Sequence, residues 1–220
     1  MMTTETNPQL LLWGAGTSRT MRPHWALTEL GLPYTCNAVG SRSAPTTSEE
    51  FTKLHPGQKI PLLQDGDVTI FDSTAIILYL ADRYGDGNLL PSAGTPERGL
   101  VYQWCFHTMT ELDAHTLYVN FKHGGRLSKI YGESPVAVKT AVAGFAKQIQ
   151  VAGTTLADGR PFLLGEQFTI ADIVLGTCLM FAQKQHNVDE LMIPESVWAY
   201  KAKLEERPGY QTALMKNTPS

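Results

Sequence analysis

The first third of the chain alternates short apolar runs with amphipathic stretches; the rest carries amphipathic stretches alone. Leu10 to Trp13 is an apolar run closed by Gly14-Ala15-Gly16, which predicts a strand and a turn. Thr17 or Ser18 can cap the next helix, where Met21, Trp25, Leu27 and Leu30 recur at helical spacing up to Gly31. Tyr34 to Val39 reads as a second strand, Gly40 to Ser48 as a polar loop, and Glu49 to Leu54 as a short helical piece. Ile60 to Leu63 reads as a strand with Pro61 inside it. Proline brings no N–H to a ladder, so this position implies an edge strand or a cis bond at the strand's start. Asp65-Gly66-Asp67 signals a hairpin, and Val68 to Phe71 returns as its second strand. Asp72 and Ser73 then open a helix through Tyr84, with Ile76, Ile77, Leu80 and Ala81 on one face.

Asp86 to Thr95 is rich in Gly, Pro, Ser and Asn and reads as a linker. Beyond it the strand signals vanish. Helices are predicted from Pro96 to about His123, Pro135 to about Ala157, Thr169 to about Gln185 and Pro194 to Glu206, with Pro208-Gly209 following the last. The expected fold class is therefore a small α/β domain over residues 1–86 followed by an all-α domain over 95–220.

Composition narrows the setting. Of 220 residues, 43% are hydrophobic and 18% charged, enough apolar side chains for packed cores. The net charge of −3, with no basic block, argues against a nucleic-acid partner. The polar start of the chain is unlike a secretory signal, and the apolar stretch Ile173 to Ala182 is too short to span a bilayer. Three widely spaced cysteines, Cys36, Cys105 and Cys178, form no C-x-x-C and fit small core residues in a reducing, cytoplasmic compartment. No membrane partner is expected.

The chemistry-bearing pattern is Gln58-Lys59-Ile60-Pro61, the hairpin, then Asp72-Ser73 at a helix start. A residue before a cis-proline turns its backbone groups away from the sheet, so Ile60 can pair with an extended peptide as a short strand edge. Ser73 at a helix N-terminus suits an anion, and Asp72 suits a cation; either can also serve only as the cap. Thr169-Ile170-Ala171-Asp172 has the spacing of a capping box, a folding device, with Phe168 and Ile173 as staple residues. His107, Glu111 and His115 follow at i, i+4 and i+8. That line has metal-ligand types, but no second cluster supports it, so it is expected, with Tyr118, to line a pocket, and no metal is expected.

The Ile60-Pro61 pair, the Asp72-Ser73 pair, the Trp25-Ala26-Leu27 helix and the helical second half together resemble the cytosolic glutathione transferases, bacterial type, over essentially the whole chain. The resemblance implies a thioredoxin-like N-terminal domain that binds glutathione and a C-terminal helical bundle that binds an electrophile. Glutathione is then a cosubstrate whose γ-glutamyl carboxylate meets Ser73, whose ammonium meets Asp72, and whose cysteinyl backbone meets Ile60 beside Pro61. Its glycyl end meets Gln58 and Lys59, with Arg42 a weaker alternative. The family more often has Glu where this chain has Asp72. Counting back without gaps from Trp25 places the thiol-activating hydroxyl on Thr17; one residue of slip places it on Ser18. The implied activity is conjugation of glutathione thiolate to a small apolar electrophile, a detoxifying reaction, in a homodimer. The alternatives are a non-catalytic glutathione- or apolar-ligand-binding protein and a glutathione-dependent peroxidase or disulfide reductase.

Overall fold

The computed structural model of the chain describes residues 9–219. They form two compact units: one runs to Asp86 and takes back the segment from Arg207 onward, and the other covers Gly87–Glu206.

In the first unit the order is β1 (Leu10–Trp13), α1 (Ser18–Glu29), β2 (Thr35–Asn37), a 3-10 turn (Ala44–Thr47), α2 (Glu49–Leu54), β3 (Leu62–Asp65), β4 (Val68–Phe71) and α3 (Ser73–Tyr84). The strands lie in the order β2-β1-β3-β4, with β1 parallel to β2 and antiparallel to β3, and β4 antiparallel to β3. The pleat sorts the side chains. Leu10 and Leu12 of β1 join Leu63, Leu27, Ile76 and Leu80 in one core beneath α1 and α3. Leu62 and Trp13 point the other way and pack with Phe51, Ile60 and Leu54 around α2. The Ile60–Pro61 bond is cis. The strand itself begins only at Leu62, so the proline sits outside the ladder, and β3 is an inner strand; the edge-strand alternative does not apply.

In the second unit α4 (Pro96–His107) continues into a π-helical segment (Thr108–Leu117) and α5 (Tyr118–His123). Then come α6 (Ser128–Tyr131), α7 (Pro135–Gln148), α8 (Gln150–Thr155), α9 (Ile170–Gln183), a 3-10 turn (Val188–Leu191) and α10 (Glu195–Glu205). The single helix expected over 96–123 is thus continuous but wound differently in its middle, and the helix expected over 135–157 breaks after Gln148. Helix α9 is buried on nearly all sides. Its first turn is anchored by Asp172, whose carboxylate accepts from the Thr169 N–H (2.8 Å), the Leu163 N–H (2.9 Å) and the Tyr200 hydroxyl (2.7 Å).

A last helix, α11 (Pro208–Lys216), was not anticipated within the region 95–220, and it belongs to the first unit. Pro208 is its first residue, where a missing N–H costs nothing. Tyr210 meets Trp25 of α1 edge-on, with ring centroids 5.0 Å apart. Arg207 grips Glu29 through two bonds of 2.9 and 2.7 Å, and the Trp25 indole N–H donates to the same carboxylate.

Candidate functional site

Strand register decides which loops meet. Trp13 ends β1, Leu62 begins β3 and Phe71 ends β4, and these three residues pair in one row across the sheet. The segments attached to that row are Gly14–Thr17, Ile60–Pro61 and Asp72–Ser73. Three loops far apart in sequence therefore share one end of the sheet, which carries the N-termini of both α1 and α3.

Two close approaches tighten the cluster. Gly14 has a φ of +112°, and a Cβ there would lie 2.6 Å from the Cβ of Ile60. Only glycine lets the turn after β1 lie against the Ile60–Pro61 loop. Arg22, fully buried on α1, donates to the Ser73 hydroxyl at 2.9 Å and so ties α1 to the start of α3.

Thr17 is the N-cap of α1, and Ser18 is the first helical residue. The Thr17 hydroxyl accepts from the Thr20 N–H (3.0 Å), and the Thr20 hydroxyl accepts from the Thr17 N–H (2.9 Å). This is a capping box with Thr at its third position instead of Glu or Gln. The capping role falls on Thr17, the first of the two hydroxyl candidates. Capping occupies a lone pair and leaves the Thr17 proton, for which the Thr20 hydroxyl oxygen at 3.0 Å is the acceptor within the box, and accepting an N–H polarises the hydroxyl as a donor. Among the described residues, no hydrogen bond involves the Ser18 hydroxyl or N–H.

Asp72 caps α3 from a left-handed backbone, φ 70°. One carboxylate oxygen accepts from Thr74 N–H at 3.0 Å and, at the 3.5 Å limit, from Ala75 N–H. The second oxygen has no partner among the described residues, and the side chain is exposed. Ser73 takes its hydrogen bond from Arg22 as an acceptor, so its own proton is free to meet an anion at the helix N-terminus. Among the described residues, nothing bonds the backbone N–H or C=O of Ile60. Lys59 is exposed, with no ion pair among the described residues. Gln58 sits at φ 53°, and its amide donates to the Thr52 hydroxyl at 3.0 Å. Arg42 is exposed, also with a left-handed backbone, φ 60°.

The helical-unit candidates separate. Glu111 and His115 line one open cleft of about 450 Å³, together with Thr116, Val119, Ala141 and Lys147. His107 instead lies edge-on to Trp104, centroids 5.9 Å apart, and the Lys122 ammonium sits 4.7 Å over the Tyr118 ring. The straight line drawn from i, i+4 spacing passes through the π-helical segment, where bonds run i to i+5 and the facing changes.

The family model "Glutathione S-transferase, N-terminal domain" matches residues 8–82, and "Glutathione S-transferase, C-terminal domain" matches residues 135–201. Glutathione S-transferase 2 of Anopheles gambiae is 32% identical over 155 residues, covering 70% of this chain and 68% of that protein. The chain belongs to the glutathione S-transferase family. A theta-class transferase from Xanthomonas axonopodis pv. citri, solved with glutathione bound, is 25% identical, with a TM-score of 0.79 over 94% of this chain and 98% of that one. A Pseudomonas putida transferase, solved with glutathione disulfide bound, is 26% identical, with a TM-score of 0.81 over 96% and 93%. The transferase fold expected from the sequence, a thioredoxin-like domain joined to a helical one, is the fold the chain has.

Three residues packed around this loop cluster escaped sequence reading. Arg22 and His24 were signalled only as polar residues inside the apolar pattern of α1. The third is Asn217, at the end of α11. The His24 imidazole is fully buried, with Nε2 3.2 Å from the Gly14 carbonyl and Nδ1 2.7 Å from the Tyr34 hydroxyl. A carbonyl only accepts, so Nε2 carries a proton. Burial holds the His24 pKa down to about 4, assisted by Lys216 and opposed by the Gly14 carbonyl. Burial likewise raises the Cys36 thiol above its ordinary value. A cysteine held in its thiol form is a poor nucleophile.

Proposed function

We propose that this transferase conjugates the glutathione thiolate to a small apolar electrophile, and that Thr17 donates the hydrogen bond that stabilises the thiolate. The observation that carries the reading is the single row Trp13–Leu62–Phe71. It gathers a hydroxyl at a helix N-terminus, an unpaired backbone edge, and a carboxylate–hydroxyl pair at a second helix N-terminus. These groups match a tripeptide with an anionic and a cationic end. Ser73 takes the γ-glutamyl carboxylate, Asp72 the ammonium, and Ile60 the cysteinyl backbone. Lys59 and Gln58 meet the glycyl end.

In the reaction the thiol proton leaves to solvent. The sulfur then forms a bond to the electrophilic carbon, and the leaving group departs with its electron pair. A free thiol has a pKa near roughly 8.5 and is mostly protonated at neutral pH. The Thr17 hydroxyl and the positive end of α1 favour the ionised sulfur. His107, Glu111, His115 and Tyr118 of the helical unit are proposed for the electrophile side, and the working form is proposed as a cytoplasmic homodimer. Light scattering that returned the 24.2 kDa single chain at micromolar concentration would contradict the dimer.

The test of the thiol assignment is Thr17→Val beside Ser18→Ala, with the pKa of bound glutathione read from ultraviolet thiolate absorbance. Thr17→Val should raise it and Ser18→Ala should not. The reverse result moves the role to Ser18. If neither variant moves it, the backbone and dipole carry the activation.

A further inference from the structure

The last described residues return to the first loop. Asn217 is nine-tenths buried, and the three hydrogen bonds of its side chain fall on Gly16 and on Thr17 and Thr20 of the box. Its Oδ1 accepts from the Gly16 N–H (3.0 Å) and from the Thr20 hydroxyl (2.7 Å); its Nδ2 donates to the Thr17 carbonyl (3.0 Å). The Asn217 backbone carbonyl also accepts from the Gly16 N–H at 3.0 Å. Pro219 closes over the turn, and a Cβ on Gly16 (φ +85°) would lie 2.5 Å from its ring.

Counting protons gives these bonds a direction. The Thr20 hydroxyl has one proton and three acceptors in reach: Asn217 Oδ1 at 2.7 Å, the Thr17 carbonyl at 2.9 Å and the Thr17 hydroxyl at 3.0 Å. The Thr17 carbonyl has two lone pairs, and the Met21 N–H (3.0 Å) and Asn217 Nδ2 fill both. The Thr20 proton is thereby directed to Asn217 Oδ1. The Thr17 oxygen then receives only the Thr20 N–H, and its own proton has two directions open, the Thr20 hydroxyl oxygen at 3.0 Å and a partner outside the box, of which an anionic sulfur is the stronger acceptor.

We propose that Asn217 is a positioning residue for thiol activation: it draws the Thr20 proton away and fixes the Gly16–Thr17 turn, so that the Thr17 hydroxyl faces the sulfur as a donor. This rests on the reading of Thr17 as the activating group. Without Asn217, the Gly16–Thr17 turn loses its side-chain tether, and the Thr20 proton is shared between the Thr17 carbonyl at 2.9 Å, which regains a lone pair, and the Thr17 hydroxyl at 3.0 Å, so that the hydroxyl faces the sulfur as a donor for less of the time.

The test uses the full-length protein with glutathione and an activated aryl chloride. Asn217→Ala should raise the bound-thiol pKa by about half a unit to one unit and lower kcat/KM at neutral pH by about three- to tenfold. The glutathione Kd should stay within about twofold, which a general loss of structure would not allow. In a Thr17→Val background, Asn217→Ala should add nothing to the pKa shift. Thr20→Val removes the bond to Asn217 and the acceptor of the Thr17 N–H, so it loosens the same turn, should shift the pKa in the same direction, and serves if Asn217→Ala does not fold. If Thr17→Val raises the pKa while Asn217→Ala and Thr20→Val leave it at the wild-type value, the inference fails and the Thr17 reading stands. A full Asn217→Ala shift persisting in the Thr17→Val background also overturns it. If Thr17→Val itself has no effect, the Thr17 reading falls, and this inference with it.

Discussion

Helices α1 and α9 begin with the same local device, a threonine cap answered by a polar residue three positions on, yet the two starts have opposite fates. At α9 the answering residue is Asp172, with no exposure at all, and both carboxylate oxygens are spent on partners from three parts of the helical unit. At α1 the answering residue is another hydroxyl, Thr20, the cap Thr17 is half-buried, and one proton is left over. A closed, saturated cap holds a fold together. An open, neutral, unsaturated one leaves a hydrogen-bond donor at a positive helix end, which is what a reacting anion needs. The difference is set by the third residue of each box and by what packs against it.

The comparison breaks most visibly at Asp172. Replacing it with Ala strands two backbone N–H groups and the Tyr200 hydroxyl in the core, and should cost about 3 kcal/mol or more. Denaturant unfolding measures this, and any folded fraction should bind glutathione with an unchanged thiol pKa. A cost under about 1 kcal/mol would mean that the α9 cap is not the anchor described.

The floor beneath the α1 cap has its own limit in acid. His24 is neutral in the folded protein, with a pKa of about 4 against 6.5 for the free side chain. Between these values the unfolded chain binds the proton and the folded one does not, so stability falls as pH drops through that window. The full loss is about 3 kcal/mol once pH is below about 4. A His24→Gln variant should lack most of this dependence. Wild-type stability that stayed flat from pH 7 to pH 4 would contradict the burial of a neutral ring.

Much of this was legible in the sequence, for definite reasons. The apolar run Leu10–Trp13, the Asp65-Gly66-Asp67 turn and the Asp72-Ser73 helix start are local signals, and the strand register then brings Ile60 and Ser73 to the end of β1 without further instruction. Thr169-x-x-Asp172 was readable because a capping box is written within four residues. The segment α11 was not: Pro208-Gly209 reads as a terminator, while Pro208 in fact occupies the first helical turn and the helix is held by distant partners, Trp25 and Glu29. Asn217 was invisible for the same reason, since its contacts lie about 200 positions away. The alignment of His107, Glu111 and His115 assumed α-helical winding, and the π-helical stretch from Thr108 to Leu117 alters which of them share a face.

Thr17→Val sharpens the comparison from the functional side. Losing the cap should cost about 1 kcal/mol of stability. Losing the donor should raise the bound-thiol pKa by about one to two units and slow turnover at neutral pH by tenfold or more. Asp172→Ala and Thr17→Val should thus exchange effects, large on stability and nil on the thiol for one, small on stability and large on the thiol for the other. Equal effects on both quantities would erase the distinction.

The cap of α3 lies between the two cases. Asp72→Asn keeps a side-chain oxygen for the Thr74 N–H but removes the charge. It should leave the unfolding midpoint nearly unchanged and weaken glutathione binding by about tenfold. Calorimetry returning the wild-type affinity would remove Asp72 from the binding site and leave it a cap only.

The most direct test of the account is the ultraviolet titration of the thiol of glutathione bound to the wild-type protein, set beside free glutathione in the same buffer. A protein that activates the sulfur through the open cap of α1 should lower the thiol pKa by about one to two units below the free value of roughly 8.5. A bound thiol that titrates with the free value would contradict it, and would leave a glutathione-binding protein of this fold without the proposed catalysis.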